Sequence, residues 1–144
     1  VVPFALVDSG LRWHARVYDR MFSAFRDLVV SRMEDPVLLG DQNVAAHEKA
    51  DHDIQWSRIV TLDLVPHPNQ ARPKIVEKDF RMTDGHRILN VRAAIAGYVL
   101  QQWNVDCSPD HSLDPKHYRL WLKDALVLYG VENAVLAPGY QNPR

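Results

Sequence analysis

The sequence predicts a β plus α/β fold, a small β unit followed by a small α/β unit. Three observations carry this reading. Residues 11–18, Leu-Arg-Trp-His-Ala-Arg-Val-Tyr, alternate in character as a β-strand alternates its two faces. Residues 40–53 are polar and charge-mixed and break the apolar patterning, as a linker does. Beyond them the pattern is different. Val60, Leu62 and Leu64 alternate with Thr61 and Asp63, and residues 91–103 carry apolar side chains at helical spacing. The expected organisation is therefore a first domain at 1–39, a linker at 40–53 and a second domain at 54–144.

Taken in order, residues 4–7 form a short apolar run, and Asp8-Ser9-Gly10 is a turn signal. The strand at 11–18 would place Leu11, Trp13, Ala15 and Val17 on a core face. Arg12, His14, Arg16 and Tyr18 would share the other face. Residues 19–24 read as a loop and 25–32 as the next strand, an antiparallel hairpin. Pairing Tyr18 with Phe25 sets Arg16 opposite Asp27, His14 opposite Val29 and Arg12 opposite Ser31. A slip of one residue would bring Arg26 or Leu28 there instead. Residues 33–39 are expected to continue the strand past a break at Pro36, and the first part reads as a small β-barrel or a portion of one. Within the linker, residues 45–50 suit a turn of helix.

The second part starts with a strand at 54–65, ended by Pro66-His67-Pro68 because proline cannot donate to a ladder. Residues 72–80 suit a short helix with Pro73 in its first turn. Asp84-Gly85 is a turn, 87–90 a short strand, 91–103 the strongest helix, 106–115 a loop and 118–128 a strand. The approximate β-α-β-α-β order predicts a small α/β sandwich.

Composition narrows the function classes. The 144 residues hold 17 Lys and Arg against 18 Asp and Glu, so no overall positive charge draws the chain to nucleic acid, although a local basic patch is compatible with that balance. The single cysteine, Cys107, excludes an intramolecular disulfide and suits a reducing, cytoplasmic setting. No apolar run approaches a membrane span. The chain starts at Val1 inside strand-like sequence, with no signal-peptide pattern, and is expected to be a fragment of a longer protein.

Catalytic and metal chemistry find little support. His47-Glu48-Lys49-Ala50-Asp51-His52 superficially suggests a zinc-protease motif, but its histidines are five apart, not the four that bring both onto one helix face. A solvated linker accounts for them, and no metal site is expected. His111 and His117 flank a proline-containing loop with nothing to complete a site. Cys107 lacks a nucleophile signature, Ser9 has no G-x-S-x-G frame, and the six glycines form no phosphate loop. No enzyme activity and no cofactor are expected. A hydrolase built on His14 or His67 is a remote alternative, and His67, between two prolines, reads as a turn residue.

The polar face of residues 11–18 is the remaining candidate. Its plain reading is a solvated strand exterior with a buried Tyr18. Against that, it uses arginine, which grips phosphate or carboxylate through two donors at once. Arg26 and Arg32 lie on the neighbouring segment, and Tyr18, Phe22 and Phe25 at the hairpin end offer faces on which bases could stack.

These residues resemble a known family. Val2-Pro3-Phe4-Ala5-Leu6-Val7, then Gly10-Leu11-Arg12-Trp13-His14-Ala15-Arg16-Val17-Tyr18 and Phe25-Arg26-Asp27-Leu28-Val29-Val30-Ser31-Arg32-Met33, are similar to the WYL domain in its CapW/BrxR-like branch. That pattern reads roughly P-x-A-L-x-x-x-G-x-R-W-H-x-R-A-Y followed by F-R-D-F-V-L-S-R-I. Val60-x-Leu62-x-Leu64-Val65-Pro66-His67-Pro68, Ile75-x-Glu77-x-Asp79-Phe80-x-Met82 and Val91-Arg92-x-Ala94-x-x-x-Tyr98-x-Leu100 resemble the extension domain that follows WYL. The resemblance implies an Sm-like, SH3-type barrel with a small α/β extension. It also implies a homodimeric transcription regulator, often a repressor of anti-phage defence operons. Such a protein binds operator DNA through an N-terminal winged helix-turn-helix, which is expected to lie outside this chain. The barrel would sense a nucleic-acid or nucleotide-like ligand in a pocket whose counterparts here are Arg12, His14, Arg16, Tyr18, Asp27, Ser31 and Arg32. The family's first barrel strand is expected to precede Val1. Leu28 and Val17 replace the pattern's Phe and Ala, both apolar exchanges.

Overall fold

The computed structural model describes residues 1–40 and 42–143. The chain divides into two compact units, Val1–Ser57 and Arg58–Arg144.

The first unit is a three-stranded antiparallel sheet of β1 (Val2–Asp8), β2 (Trp13–Asp19) and β3 (Ala24–Val29), with β2 in the middle. Asp8, Ser9 and Gly10 do form the first turn. Gly10 has φ +83°, its N–H donates to Asp8 Oδ1, and the Ser9 N–H and hydroxyl both donate to the Arg12 carbonyl. In β1 the register shifts between Pro3 and Ala5, leaving Phe4 as the extra residue of a bulge. The hairpin register is the one expected, with His14 opposite Val29, Arg16 opposite Asp27 and Tyr18 opposite Phe25.

The expected pairing of Arg12 with Ser31 does not form. β3 ends at Val29, and Val30–Arg32 turn into a 3₁₀ helix while Arg12 belongs to the β1–β2 turn. No strand occupies residues 33–39. Asp35 sits in the left-handed region at φ +45°, and Pro36 after it has no N–H to donate. The described residues form an open sheet, and no closed barrel is found among them.

The two-faced reading of residues 11–18 also needs correction. Ala15 and Val17 are buried as expected, but Leu11 and Trp13 are exposed, while His14, Arg16 and Tyr18 are buried. The segment expected to be a linker supplies the cover. It winds through two 3₁₀ turns, Ala46–Glu48 and Ala50–His52, into the one-turn helix α1 (Ile54–Ser57). Its Asp53 and His47 meet Arg16 and Tyr18, and Trp56 of α1 meets Phe4.

The second unit runs β4 (Ile59–Pro66), α2 (Pro73–Asp79), β5 (Arg87–Arg92), α3 (Ala93–Gln102), β6 (Val105–Asp106) and β7 (Leu120–Leu122). Its sheet order is β5-β4-β7-β6, with β4 antiparallel to both neighbours and β6 parallel to β7. Val60, Leu62 and Leu64 of β4 join Val76, Leu100, Leu120, Leu122 and Leu128 in one apolar core. Each fully buried leucine contributes roughly 1.5–3 kcal/mol relative to exposure.

Three expected elements shift. The 54–65 strand begins only at Ile59, because Asp53 caps α1 through the Gln55 and Trp56 N–H groups. The helix starts at Ala93, since Val91 and Arg92 pair with β4. The 118–128 strand is cut to Leu120–Leu122, because the Asp124 carboxylate accepts from the Leu126 N–H and starts a 3₁₀ turn, Ala125–Leu128. Asn133 clasps α3. Its Nδ2 donates to the Ala94 carbonyl at 2.7 Å and its Oδ1 accepts from the Gly97 N–H at 3.1 Å.

Candidate functional site

The polar face of β2 is built by three local decisions. The Ser9 turn fixes the Arg12 backbone, β2 carries His14, Arg16 and Tyr18 on one side, and the 3₁₀ turn after β3 carries Ser31 and Arg32. Ser31 and Arg32 are both exposed, as is Arg12. His14 is buried, and burial pushes its imidazole below the ordinary value near 6.5. Asp27 pulls it back up, while Arg12 and Arg32 add to the depression. Arg12, Arg32 and Asp27 thus lie close enough for their charges to bear on His14.

Arg16 has a different occupation. Its Nε donates to Asp53 Oδ2 at 2.7 Å, one terminal nitrogen donates to Asp53 Oδ1 at 3.0 Å, and the other donates to Asp27 Oδ1 at 3.2 Å. Arg16 and Asp53 are 4% and 2% exposed. Burial alone would lower the guanidinium's pKa, but the Asp53 bonds and the Asp27 charge outweigh it and hold the group charged. Arg16 therefore anchors β2 to the cap of α1. Tyr18 packs edge-on against Phe25 and His47, and Phe22 at the hairpin end lies 4.3 Å beneath the Arg26 guanidinium.

Sequence reasoning missed the partners of this face. Asp53 was assigned to a linker, and so was Glu48. Glu48 receives two bonds from Arg20 at 2.6 and 2.9 Å and one from the Ala45 N–H, which hold its carboxyl down at about 2. A Glu three residues after a turn start, ahead of an Asp before a short helix, is a capping signal that was present to be found.

A second polar group lies in the second unit. His67 is in the turn after β4 and is also fully buried. Its Nε2 is 3.0 Å from Asp106 Oδ2, and its Nδ1 accepts from the Asn69 N–H at 3.1 Å. Asp106 also accepts from the Ser108 N–H and hydroxyl and from the Leu113 N–H. The carboxylate sits between serine and histidine, whereas a hydrolytic triad needs the histidine between the other two. The network ties β6 to the turn at His67 and to the loop that follows β6 at 108–113. Cys107 beside it is buried, and burial with the Asp106 charge pushes its thiol far up, away from the reactive thiolate. Among the described residues no group of three or more His, Cys, Asp or Glu is placed to hold a metal ion, and no helix is long and apolar enough to cross a membrane.

Comparison with known proteins agrees with the division into units. Residues 59–128 match the model of the BrxR transcriptional regulator, C-terminal dimerization domain. A DNA-binding transcriptional repressor CapW of Pseudomonas aeruginosa is 36% identical over 106 residues, 72% of this chain and 34% of that protein. CapW of Escherichia coli strain KTE188 is 29% identical over 133 residues, 91% of this chain and 43% of its own length. CapW of Stenotrophomonas maltophilia is 36% identical over 108 residues, again 72% and 34%. The chain thus spans less than half the length of these relatives. By this domain match and these relatives, the chain belongs to the CapW/BrxR-like family of transcriptional regulators, and its second unit carries the family's C-terminal dimerization domain.

Proposed function

We propose that this chain is the homodimerising and ligand-sensing region of a cytoplasmic DNA-binding repressor. The open sheet of the first unit is then part of an Sm-like barrel. The longer protein would bind operator DNA through a winged helix-turn-helix and control an anti-phage defence operon. The signal is a nucleic-acid or nucleotide-like anion. Arg12, Arg32 and His14 contact it, Asp27 and Ser31 border it, and Arg16 and Tyr18 form the wall behind.

The observation that carries this is the pair of exposed arginines, Arg12 in the turn before β2 and Arg32 in the 3₁₀ turn after β3, at the end of the sheet where buried His14 pairs with Val29. Exposed arginine donors grip a phosphate through two bonds at once. The test measures binding of labelled single-stranded DNA, short RNA and cyclic oligonucleotides to the 144-residue chain and to Arg12→Ala and Arg32→Ala. Each substitution is expected to weaken binding about tenfold or more. Binding that is absent, or equal in all three proteins, would overturn the sensing role.

One observation favours a second reading, in which the first unit serves assembly alone. Arg16, the best-placed cation on the strand, already has its donors on Asp53 and Asp27. Under that reading, replacing Arg12 or Arg32 leaves repression by the longer protein and its response to phage unchanged.

A further inference from the structure

In the second unit, β4 and β5 have one covered face and one open face. Side chains at 60, 62 and 64 of β4 point into the core and are fully buried. The alternate positions point the other way. Ile59 is 55% exposed, and Ile88, on the neighbouring strand opposite Asp63, is 50% exposed. Between them, exposed Thr61 and Asn90 are opposite each other and bonded through Oγ1 to Oδ1 at 2.8 Å. That bond turns two polar groups inward on each other and lowers the cost of covering them.

We propose that this open face of β4 and β5 is where two copies of the chain meet. The inference rests on the homodimer proposed above and locates it. Two observations select a second copy as the occupant. The dimerization-domain match, residues 59–128, begins at Ile59 and contains the whole face. Exposed Tyr129 and Val135 of this unit fall outside it.

Charge supplies the second. Arg92 lies opposite Ile59 at one end, and Asp63 lies toward the other, bonded to His86 at 2.7 Å. A two-fold axis lying in the plane of the face, across the strands, lays the strands of one copy against the reversed strands of the other and sets Arg92 at the same end as the partner's Asp63. The face is thus self-complementary, as an isologous contact must be. Two strands over seven residues span only about 10 by 23 Å. A stable interface covers about 800 Å² on each partner, so the face is the centre of the contact and neighbouring side chains form its rim.

Sedimentation of the 144-residue chain across a concentration series tests this, with thermal melts to confirm that each variant folds. The wild-type chain is expected to dimerise. The double variant Ile59→Lys with Ile88→Lys should weaken the dimer about a hundredfold, and the milder Ile88→Ala about tenfold. Asp63→Arg and Arg92→Glu chains should each dimerise poorly, and an equal mixture should recover association. Tyr129→Lys with Val135→Lys should change nothing. If the isoleucine variants dimerise like wild type and the Tyr129 and Val135 variant does not, this face is wrong and the homodimer stands. A wild-type chain that stays monomeric to about 100 µM would remove the homodimer and this interface together.

Discussion

The two units solve the problem of a central strand in opposite ways. In the second, the buried side of β4 is Val60, Leu62 and Leu64, and the core around it is almost wholly aliphatic. In the first, β2 is buried on both sides, and one side is His14, Arg16 and Tyr18. Its cover is a segment that brings Asp53 and Glu48, each buried and each bonded to an arginine. Aliphatic packing tolerates exchange if volume is kept, whereas a buried ion pair tolerates almost none, because each partner left alone is an unpaired charge. The first unit is therefore specified by a few bonds and the second by filled space.

The largest expected effect follows from that difference. Asp53→Ala strips Arg16 of two of its three bonds and removes the cap of α1, and should cost about 3–5 kcal/mol in denaturant unfolding of the first unit. Arg16→Met with Asp53→Leu, which removes both charges, should cost distinctly less. A double variant as damaged as the single one would show that packing and not charge dominates there. In the second unit the sensitive point is a matter of space. A Cβ on Gly97 would come within 2.1 Å of the Asn133 carbonyl oxygen, a backbone atom that cannot swing aside. Gly97→Ala should cost about 1–3 kcal/mol. Asn133→Ala should cost less, about 1–2 kcal/mol, by stripping partners from the Ala94 carbonyl and Gly97 N–H without a clash.

The same contrast governs what could be read in advance. Alternation at 60–64 identified the core strand of the second unit, and the Asp8-Ser9-Gly10 turn and the Arg16–Asp27 register were legible because turn chemistry and strand pairing are local. Asp53 was not legible as a partner of Arg16. It is far away in sequence, and a polar segment looks the same whether it floats in water or covers a charged strand. The buried His67 was hidden for a related reason. Its prolines marked the turn, but its partner Asp106 lies on a two-residue strand too short to leave a pattern. Trp13 was placed inside by alternation and is exposed, because β2 begins only there and Leu11 before it already belongs to the turn.

The finest test sets the fold of the first unit against its proposed ligand through one proton. His14 has a depressed pKa in the folded chain, from burial first and then from Arg12 and Arg32, with Asp27 opposing. Below about pH 6.5 the unfolded chain takes up a proton that the folded chain resists, so stability should fall as the solution is acidified. The loss should shrink in His14→Gln. A bound anion reverses the sign. It favours imidazolium, raises the pKa in the complex and draws a proton in on binding. Affinity should therefore rise on acidification, by at most tenfold per pH unit, the limit for a single linked proton. Acid would thus loosen the empty unit and tighten the occupied one. Affinity that is flat in pH, or that falls in step with stability, would place the anion away from His14 and leave that histidine as part of the strand's buried framework.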